Sequence, residues 1–383
     1  MSAAQPEQWD EPFPVGKSRA AQERNAALLS GYDYAKYNTS ITGYTGQDLQ
    51  RIAVVQYRDA VRTRIGPRGN YKAGFTRLAN GRLLIAVCRN EANPHFDSGR
   101  AFQIYVYESA DDGLSWREIA RPGLLAKEPS LITLPDGSVL MTAQNADFRQ
   151  RAIQKKPTMY VARSADGGNT WESYLLENAK YPRQPAAEKD GTILFMMAAD
   201  DGNLTLARST DGGRAWTFSP GTVDWAPADK GHFDEVGALR LRDGTLLATL
   251  RREIPGCQGE GFEDTMITRS ADNGQTWSQP VRMVNTAEVH VFLTELADGR
   301  LLATHSTYHL PYGARAILSE DQGRTWDLEH PLDLSISADL YVGWPVTLQL
   351  PDGDLITAYA GTTYLEQKPD TTTCEVVRWQ LPW

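Results

Sequence analysis

Ser209–Trp216 reads STDGGRAW, and four near copies stand elsewhere in the chain: SADDGLSW at 109–116, SADGGNTW at 164–171, SADNGQTW at 270–277 and SEDQGRTW at 319–326. All five fit Ser-x-Asp-x-Gly-x-(Thr/Ser/Ala)-Trp. Their serines are 55, 45, 61 and 49 residues apart. A period in that range marks a repeat architecture, in which each unit buries its apolar face only against its neighbours.

A second signal recurs between the boxes. An Asn-Gly or Asp-Gly pair followed by an apolar run occurs six times, with its glycine at Gly81, Gly137, Gly191, Gly244, Gly299 and Gly353. Such pairs between apolar runs predict hairpins with type I′ turns, whose two central residues both need positive φ. The box reads as a second, outer hairpin: Ser and Asp bond the local backbone, Gly takes the left-handed position and Trp is a buried anchor. Two hairpins make a four-stranded sheet, and six such sheets predict an all-β, six-bladed propeller over residues 46–383. The sixth unit has no box, so the ring is expected to close by pairing RIAVVQY (residues 51–57) with the last blade. Residues 1–45 read as an irregular arm.

Composition narrows the function classes. The net charge is −9 over 383 residues, and Lys and Arg are scattered, which argues against a nucleic-acid footprint. Cys88, Cys257 and Cys374 have no paired spacing, and no metal motif or phosphate-cradling glycine loop occurs. No organic cofactor is expected, and a structural calcium is left open. No apolar window suggests export or membrane anchoring, so the sequence reads as cytoplasmic.

The turn glycines supply an internal register. Nine residues before each stands Lys72, Glu128, Pro182, Glu235, His290 or Trp344, near the start of each blade's first strand. Four ionisable groups at equivalent inner positions make a candidate pocket of converging polar side chains. Eight residues after each turn Asn or Asp stands a second ring, Cys88, Gln144, Ala198, Arg251, Ser306 and Ala360, with Arg89, Asn145 and Arg252 one place on. A channel lined with polar residues of no consequence would give the same pattern.

The five boxes resemble the Asp-box, or bacterial neuraminidase repeat, and the chain is similar to the sialidase-like six-bladed propellers. The resemblance implies site residues. Glu235 and Arg251, eight before and eight after Asp243, match a family glutamate that acts as a base and one of three arginines that hold the substrate carboxylate. Asp97 matches the family's acid/base aspartate with a one-residue slip, with Glu91 and His95 as rivals in the same loop. Three places depart from the pattern. Tyr71 and Lys72 stand where the family has an arginine; Lys72 can replace the charge but not the fork. Trp344 stands where the family has its tyrosine nucleophile, with Tyr341 nearby, and Ala360 stands where its activating glutamate should be. Arg315 lies in the region of the third arginine.

The leading expectation is therefore a sialidase-like glycoside hydrolase, exo-acting on a terminal acidic sugar. Glu235 with Glu128 or Asp97 supplies the two carboxyls, and water can replace the missing tyrosine. Lys72, Arg89, Arg251 and Arg315 imply an anionic carbohydrate partner. Trp344, Tyr312 and Trp225 are candidate sugar platforms. Two rivals are a polysaccharide lyase using His290, Tyr308 or Tyr312 as its base, and a propeller that binds a glycan or protein without catalysis.

Overall fold

The structure, a computed structural model, describes residues 61–92, 100–147, 157–180, 182–199, 202–225, 232–254, 263–285, 287–308, 312–336, 343–362 and 372–381. The chain enters on β1 (Val61–Arg64) and then lays down six sheets in order. Blade one is β2 (Asn70–Arg77), β3 (Leu83–Ala92), β4 (Arg100–Ser109) and β5 (Arg117–Ala120). Blade two is β6 (Ala126–Thr133), β7 (Val139–Asn145), β8 (Thr158–Ser164) and β9 (Glu172–Glu177). Blade three is β10 (Ala186–Ala187), β11 (Ile193–Ala198), β12 (Leu204–Ser209) and β13 (Thr217–Val223). Blade four runs through β14 (Phe233–Arg240), β15 (Leu246–Glu253), β16 (Glu263–Ser270), β17 (Thr276–Trp277) and β18 (Val281–Arg282). Blade five is β19 (Glu288–Glu295), β20 (Leu301–Thr307), β21 (Gly313–Ser319) and β22 (Leu332–Ile336). Blade six is β23 (Gly343–Gln349), β24 (Leu355–Thr362) and β25 (Thr372–Trp379). Strands within each blade are antiparallel neighbours, giving the six-bladed all-β propeller that the repeats predict. The exception is β17, which leaves blade four and pairs in parallel with β13 of blade three.

The ring closes through β1, which pairs with β25 from Val61↔Arg378 to Arg64↔Glu375. Residues 51–57, expected in this role, lie outside the described residues, as does 1–45. The closing strand reads VRTR and is mostly exposed, so it carries no apolar run to announce it.

The core is not central. Six apolar clusters sit one at each joint between successive blades, such as Leu84, Ala86, Leu131 and Met141 between blades one and two. Each blade thus buries both faces, as a repeat that cannot stand alone must.

Both turn predictions need correction in detail. At all six inner hairpins only the glycine has positive φ, from +82° to +95°. Each is a three-residue loop closed by two backbone bonds, as in Leu78 N–H to Arg82 O at 2.8 Å and Gly81 N–H to Leu78 O at 2.9 Å. The preceding Asn or Asp stays right-handed and accepts the amide two residues on, from Arg82 N–H to Asn80 Oδ1 at 3.1 Å through Asp354 N–H to Asp352 Oδ1. This is the glycine-bulge loop, not the two-residue I′ turn; the side chain is selected for its oxygen rather than for tolerance of positive φ.

The boxes connect third to fourth strands. In each, the Ser Oγ accepts the Gly amide and donates to the Asp carboxylate, which also accepts the amide before the Trp. In the box at 164–171 these are Gly168 N–H to Ser164 Oγ at 2.8 Å and Thr170 N–H to Asp166 Oδ1 at 2.9 Å. Of the five tryptophans only Trp277 is buried; Trp116, Trp171, Trp216 and Trp326 are half-buried wedges against the joint with the preceding blade. They lie at the outer rim, where one ring edge meets water.

Candidate functional site

The inner positions picked out by the turn register share one conformation. Lys72, Glu128, Glu235, His290 and Trp344 all have positive φ, between 44° and 58°. Each interrupts the pairing of its blade's first two strands: the register shifts between Tyr71 and Ala73, Lys127 and Ser130, Asp234 and Gly237, Val289 and Phe292, and Gly343 and Val346. A bulge inserts an unpaired residue and re-aims its side chain. A left-handed backbone costs a residue with a Cβ about 1–3 kcal/mol and concentrates at functional sites. The second ring sits directly across each bulge, because Cys88, Gln144, Arg251, Ser306 and Ala360 pair with the residue just before it.

The five bulged side chains converge. Lys72 Nζ forms a buried ion pair with Glu128 Oε1 and lies 4.0 Å from the centroid of the Trp344 ring. His290 stacks on Trp344 at 4.4 Å, and its Nε2 lies 3.2 Å from Glu235 Oε2. Arg251 Nη1 is 3.9 Å from Glu235 Oε1 and 3.0 Å from Asp234 Oδ1, while its Nη2 bonds Glu263. Ser306 joins two blades: its Oγ accepts the Trp344 amide at 3.0 Å and lies 2.9 Å from His290 Nδ1. Gly343 must lack a side chain because a Cβ there would collide with Ser306 Oγ, and its φ is +103°.

Electrostatics follow from burial. His290 is 2% exposed, and desolvation, then Arg251, Lys72 and Arg183, hold its pKa well below the ordinary imidazole value. Ser306 Oγ lies 2.9 Å from Nδ1 and Glu235 Oε2 lies 3.2 Å from Nε2, so the single proton of the neutral ring faces one of these two oxygens. Burial pushes Glu128 up, but Lys72 chief among its neighbours outweighs it, and the carboxyl ends below the usual range. Asp234 is raised, chiefly by burial. Arg251 stays protonated because Glu235, Glu263 and Asp234 outweigh its desolvation. Burial raises the Cys88 thiol, which bonds the Tyr71 carbonyl at 3.2 Å, to about 11.

Blade three breaks the pattern because proline cannot adopt positive φ. At Pro182 the chain turns toward the axis and pairs with its neighbour: Arg183 N–H bonds Val236 O at 2.9 Å, and Gln184 bridges Gly237 in parallel. Gln184 then exchanges two side-chain bonds with the backbone of Leu293 in blade five, at 2.8 and 3.0 Å. Arg183 Nη2 donates to Pro345 O in blade six at 3.0 Å. Blade three thus ties blades four, five and six together.

Other expected residues lie elsewhere. Arg89 bonds Asn70, Glu91 and Tyr107 and stacks over Tyr105, on the face of β3 opposite Cys88. Arg315 bonds Glu288 at 3.2 Å and Asp333. Tyr308 and Tyr312 are buried with Ala287 and Val289; Tyr308 also meets the His290 ring edge-on at 5.6 Å. Trp225 packs on Phe233. Asp97, His95 and Tyr341 lie outside the described residues. Trp344 is engaged by His290, Lys72 and Tyr71, so its ring is not an open platform.

Sequence reasoning missed Arg183, Gln184 and the carboxylates Glu263, Glu288 and Asp333. Glu263 reaches Arg251 from β16, and only the β15–β16 register, with Arg251 opposite Thr265, brings it there. For Arg183 a signal did exist: Pro182, next to it, is the one proline among the six places of the register.

Comparisons with known proteins agree with this architecture. A family model described as a BNR repeat-like domain matches residues 59–227. A sialidase of Bacteroides fragilis (strain YCH46) is 23% identical over 199 residues, covering 49% of this chain and 36% of its own. The chain spans between 36% and 61% of the length of the curated sialidases it matches. Among solved structures, a Dyadobacter fermentans protein of unknown function superposes with a TM-score of 0.65 at 22% identity, covering 83% of this chain and 98% of that one. An α-L-arabinofuranosidase of Fusarium graminearum superposes at 0.62 and 15% identity, covering 84% and 97%. The NanB sialidase of Streptococcus pneumoniae superposes at 0.59 and 13% identity, covering 82% and 69%. At these identities the structural likeness is one of fold.

Proposed function

We propose that this chain, which is similar to the sialidase-like six-bladed propellers, is a glycoside hydrolase with Glu235 at its chemical centre. The observation that carries this is the ring of bulges: five equivalent positions hold five different, chemically capable residues in a strained backbone, and their side chains meet. Solved neighbours of the same fold include a sialidase and an arabinofuranosidase, so hydrolysis of glycosides is the coarse activity the fold hosts.

Hydrolysis needs one carboxyl to protonate the leaving oxygen and a second to activate water or steady the developing positive charge. Glu128, kept below the usual carboxyl range with Lys72 as its partner, suits the second role. Glu235, flanked by His290 and Arg251, suits proton transfer, with Asp97 completing the set that the resemblance implies. An indole is no nucleophile, so Trp344 favours direct attack by water and inversion at the anomeric carbon. Incubation with a panel of aryl glycosides and oligosaccharides tests this. Release of reducing sugar by wild type, lost in Glu235→Gln while the fold persists, is the expected result; release that survives the substitution sinks the assignment.

One observation favours a second reading. His290 lies in the same cluster, its Nε2 3.2 Å from Glu235 Oε2, and an imidazole at that place is the type of base a lyase requires. Ultraviolet absorbance from an unsaturated product on uronate polymers, abolished in His290→Gln, is the result that would establish it.

A further inference from the structure

The cations of this site were the reason to expect an acidic sugar, yet the structure gives each a carboxylate of its own. Lys72 is paired with Glu128, and Lys127 Nζ lies 3.6 Å from the same oxygen. Arg251 holds Asp234 and Glu263 with Glu235 close behind. Arg315 holds Glu288 and Asp333. The cluster around His290 contains four carboxyl groups, Glu128, Asp234, Glu235 and Glu263, and the imidazole contributes no charge. The Arg183 guanidinium is anchored on the Pro345 carbonyl.

Both Nη atoms of Arg251 are engaged, so a substrate carboxylate that took either would have to displace Asp234 or Glu263, and one reaching Lys72 would have to displace Glu128. Two of these groups are buried, Glu263 at 6% and Glu128 at 8% exposed, whereas the Asp234 side chain is 46% exposed. Removing one partner from a buried pair leaves an uncompensated charge, which costs more than the new contact returns. Sugar hydroxyls face no such exchange. They donate to carboxylate oxygens that are already in place, and a hydrogen bond to a charged group is among the stronger ones.

Resting on the hydrolase reading of the same site, we propose that the sugar bound against Glu235, Glu128 and Arg251 is uncharged: a neutral glycosyl residue recognised through its hydroxyl groups, with Arg251 serving to orient Glu235 rather than to hold a substrate carboxylate. This reverses what the cation count alone implies.

The test uses the full chain and aryl glycosides matched in ring and linkage, differing only in charge: galactoside against galacturonide, glucoside against glucuronide, and a set of neutral pentosides and deoxyhexosides against a sialoside. Neutral members are expected to be cleaved with kcat/KM at least ~100-fold above their acidic counterparts, since a site of prearranged polar partners rejects a mismatched group strongly. Glu263→Gln, which frees one edge of Arg251, should narrow that ratio by about tenfold. Equal or better cleavage of acidic members overturns the proposal while leaving the hydrolase reading standing. If nothing is cleaved, the hydrolase reading fails, and saturation-transfer NMR on the same pairs still decides the charge class. Selective binding of neutral sugars upholds it; selective binding of acids, or of neither class, overturns it.

Discussion

The rim and the inner ring of this propeller are built from equivalent positions of the same repeats, yet they use repetition in opposite ways. At the rim, five boxes place the same Ser, Asp and Gly in the same bonds, and the five tryptophans fill successive joints between blades. In the ring, six equivalent places hold Lys72, Glu128, Pro182, Glu235, His290 and Trp344. Five share a backbone conformation that costs stability, and the sixth redirects its strand to become a tie between blades. Identity marks the scaffold, where each joint poses the same packing problem. Divergence at a position that stays strained marks the place where stability is given up for chemistry.

The contrast can be broken by substitutions in each region. The largest expected effect is that of Glu235→Gln in the ring, which removes the proton-transfer group and should lower kcat by ~10²–10⁴-fold with an unfolding midpoint close to wild type. A folded variant with unchanged kcat would break the assignment of chemistry to the ring. Glu128→Gln removes the carboxylate from Lys72 in a buried setting and should destabilise by about 3–5 kcal/mol in denaturant titration. At the rim, Gly213→Ala meets two obstacles: φ is +85°, and the new Cβ would stand 2.5 Å from a Leu140 methyl. It should cost about 1–3 kcal/mol, with the kcat of the folded fraction unchanged. A large loss of kcat there would erase the division of labour.

Two pH effects sharpen the comparison. His290 is held below its unfolded pKa of about 6.5, so below that pH the unfolded state takes up a proton that the native state refuses. Stability should therefore fall by up to about 1.4 kcal/mol per pH unit as pH drops below that value, and His290→Gln should remove that component. The box carboxylates behave differently. Asp111, Asp166, Asp272 and Asp321 are lowered to about 2: burial acts against this in all four and is the largest single influence at Asp321, but bonds that include their own box hydroxyls and amides outweigh it. Their stabilisation is present above the unfolded value of about 3.9 and lost as pH falls toward 2. Since they are exposed, the effect per box is the smallest of the set, visible as a steeper acid transition that the Asp166→Asn variant softens.

Much of this was legible in the chain because repeats carry their own register. Once Gly81, Gly137, Gly191, Gly244, Gly299 and Gly353 were aligned, counting back nine residues found every bulged position, although nothing in the letters announced positive φ for Glu128 or His290. The I′ turns were misread because Asp-Gly is compatible with two loop lengths, and the choice rests on hydrogen bonds that form only when both strands are in place. The closing strand Val61–Arg64 was not picked out because an outer edge strand needs no apolar signature.

The sequence by itself thus determined the all-β class, the six blades and the inner positions worth watching, since short-range turn chemistry and period are written locally. What each inner residue touches was decided only in three dimensions. Glu263 reaches Arg251 across a strand pair, Ser306 links His290 to Trp344 across two blades, and Gln184 of blade three clamps Leu293 of blade five over 109 residues of chain. Pairing of charges across blades depends on closing a ring, and closure is a property of all six repeats at once. For that reason the count of cations could be read from the chain, whereas their neutralisation by Glu128, Asp234 and Glu263 could not.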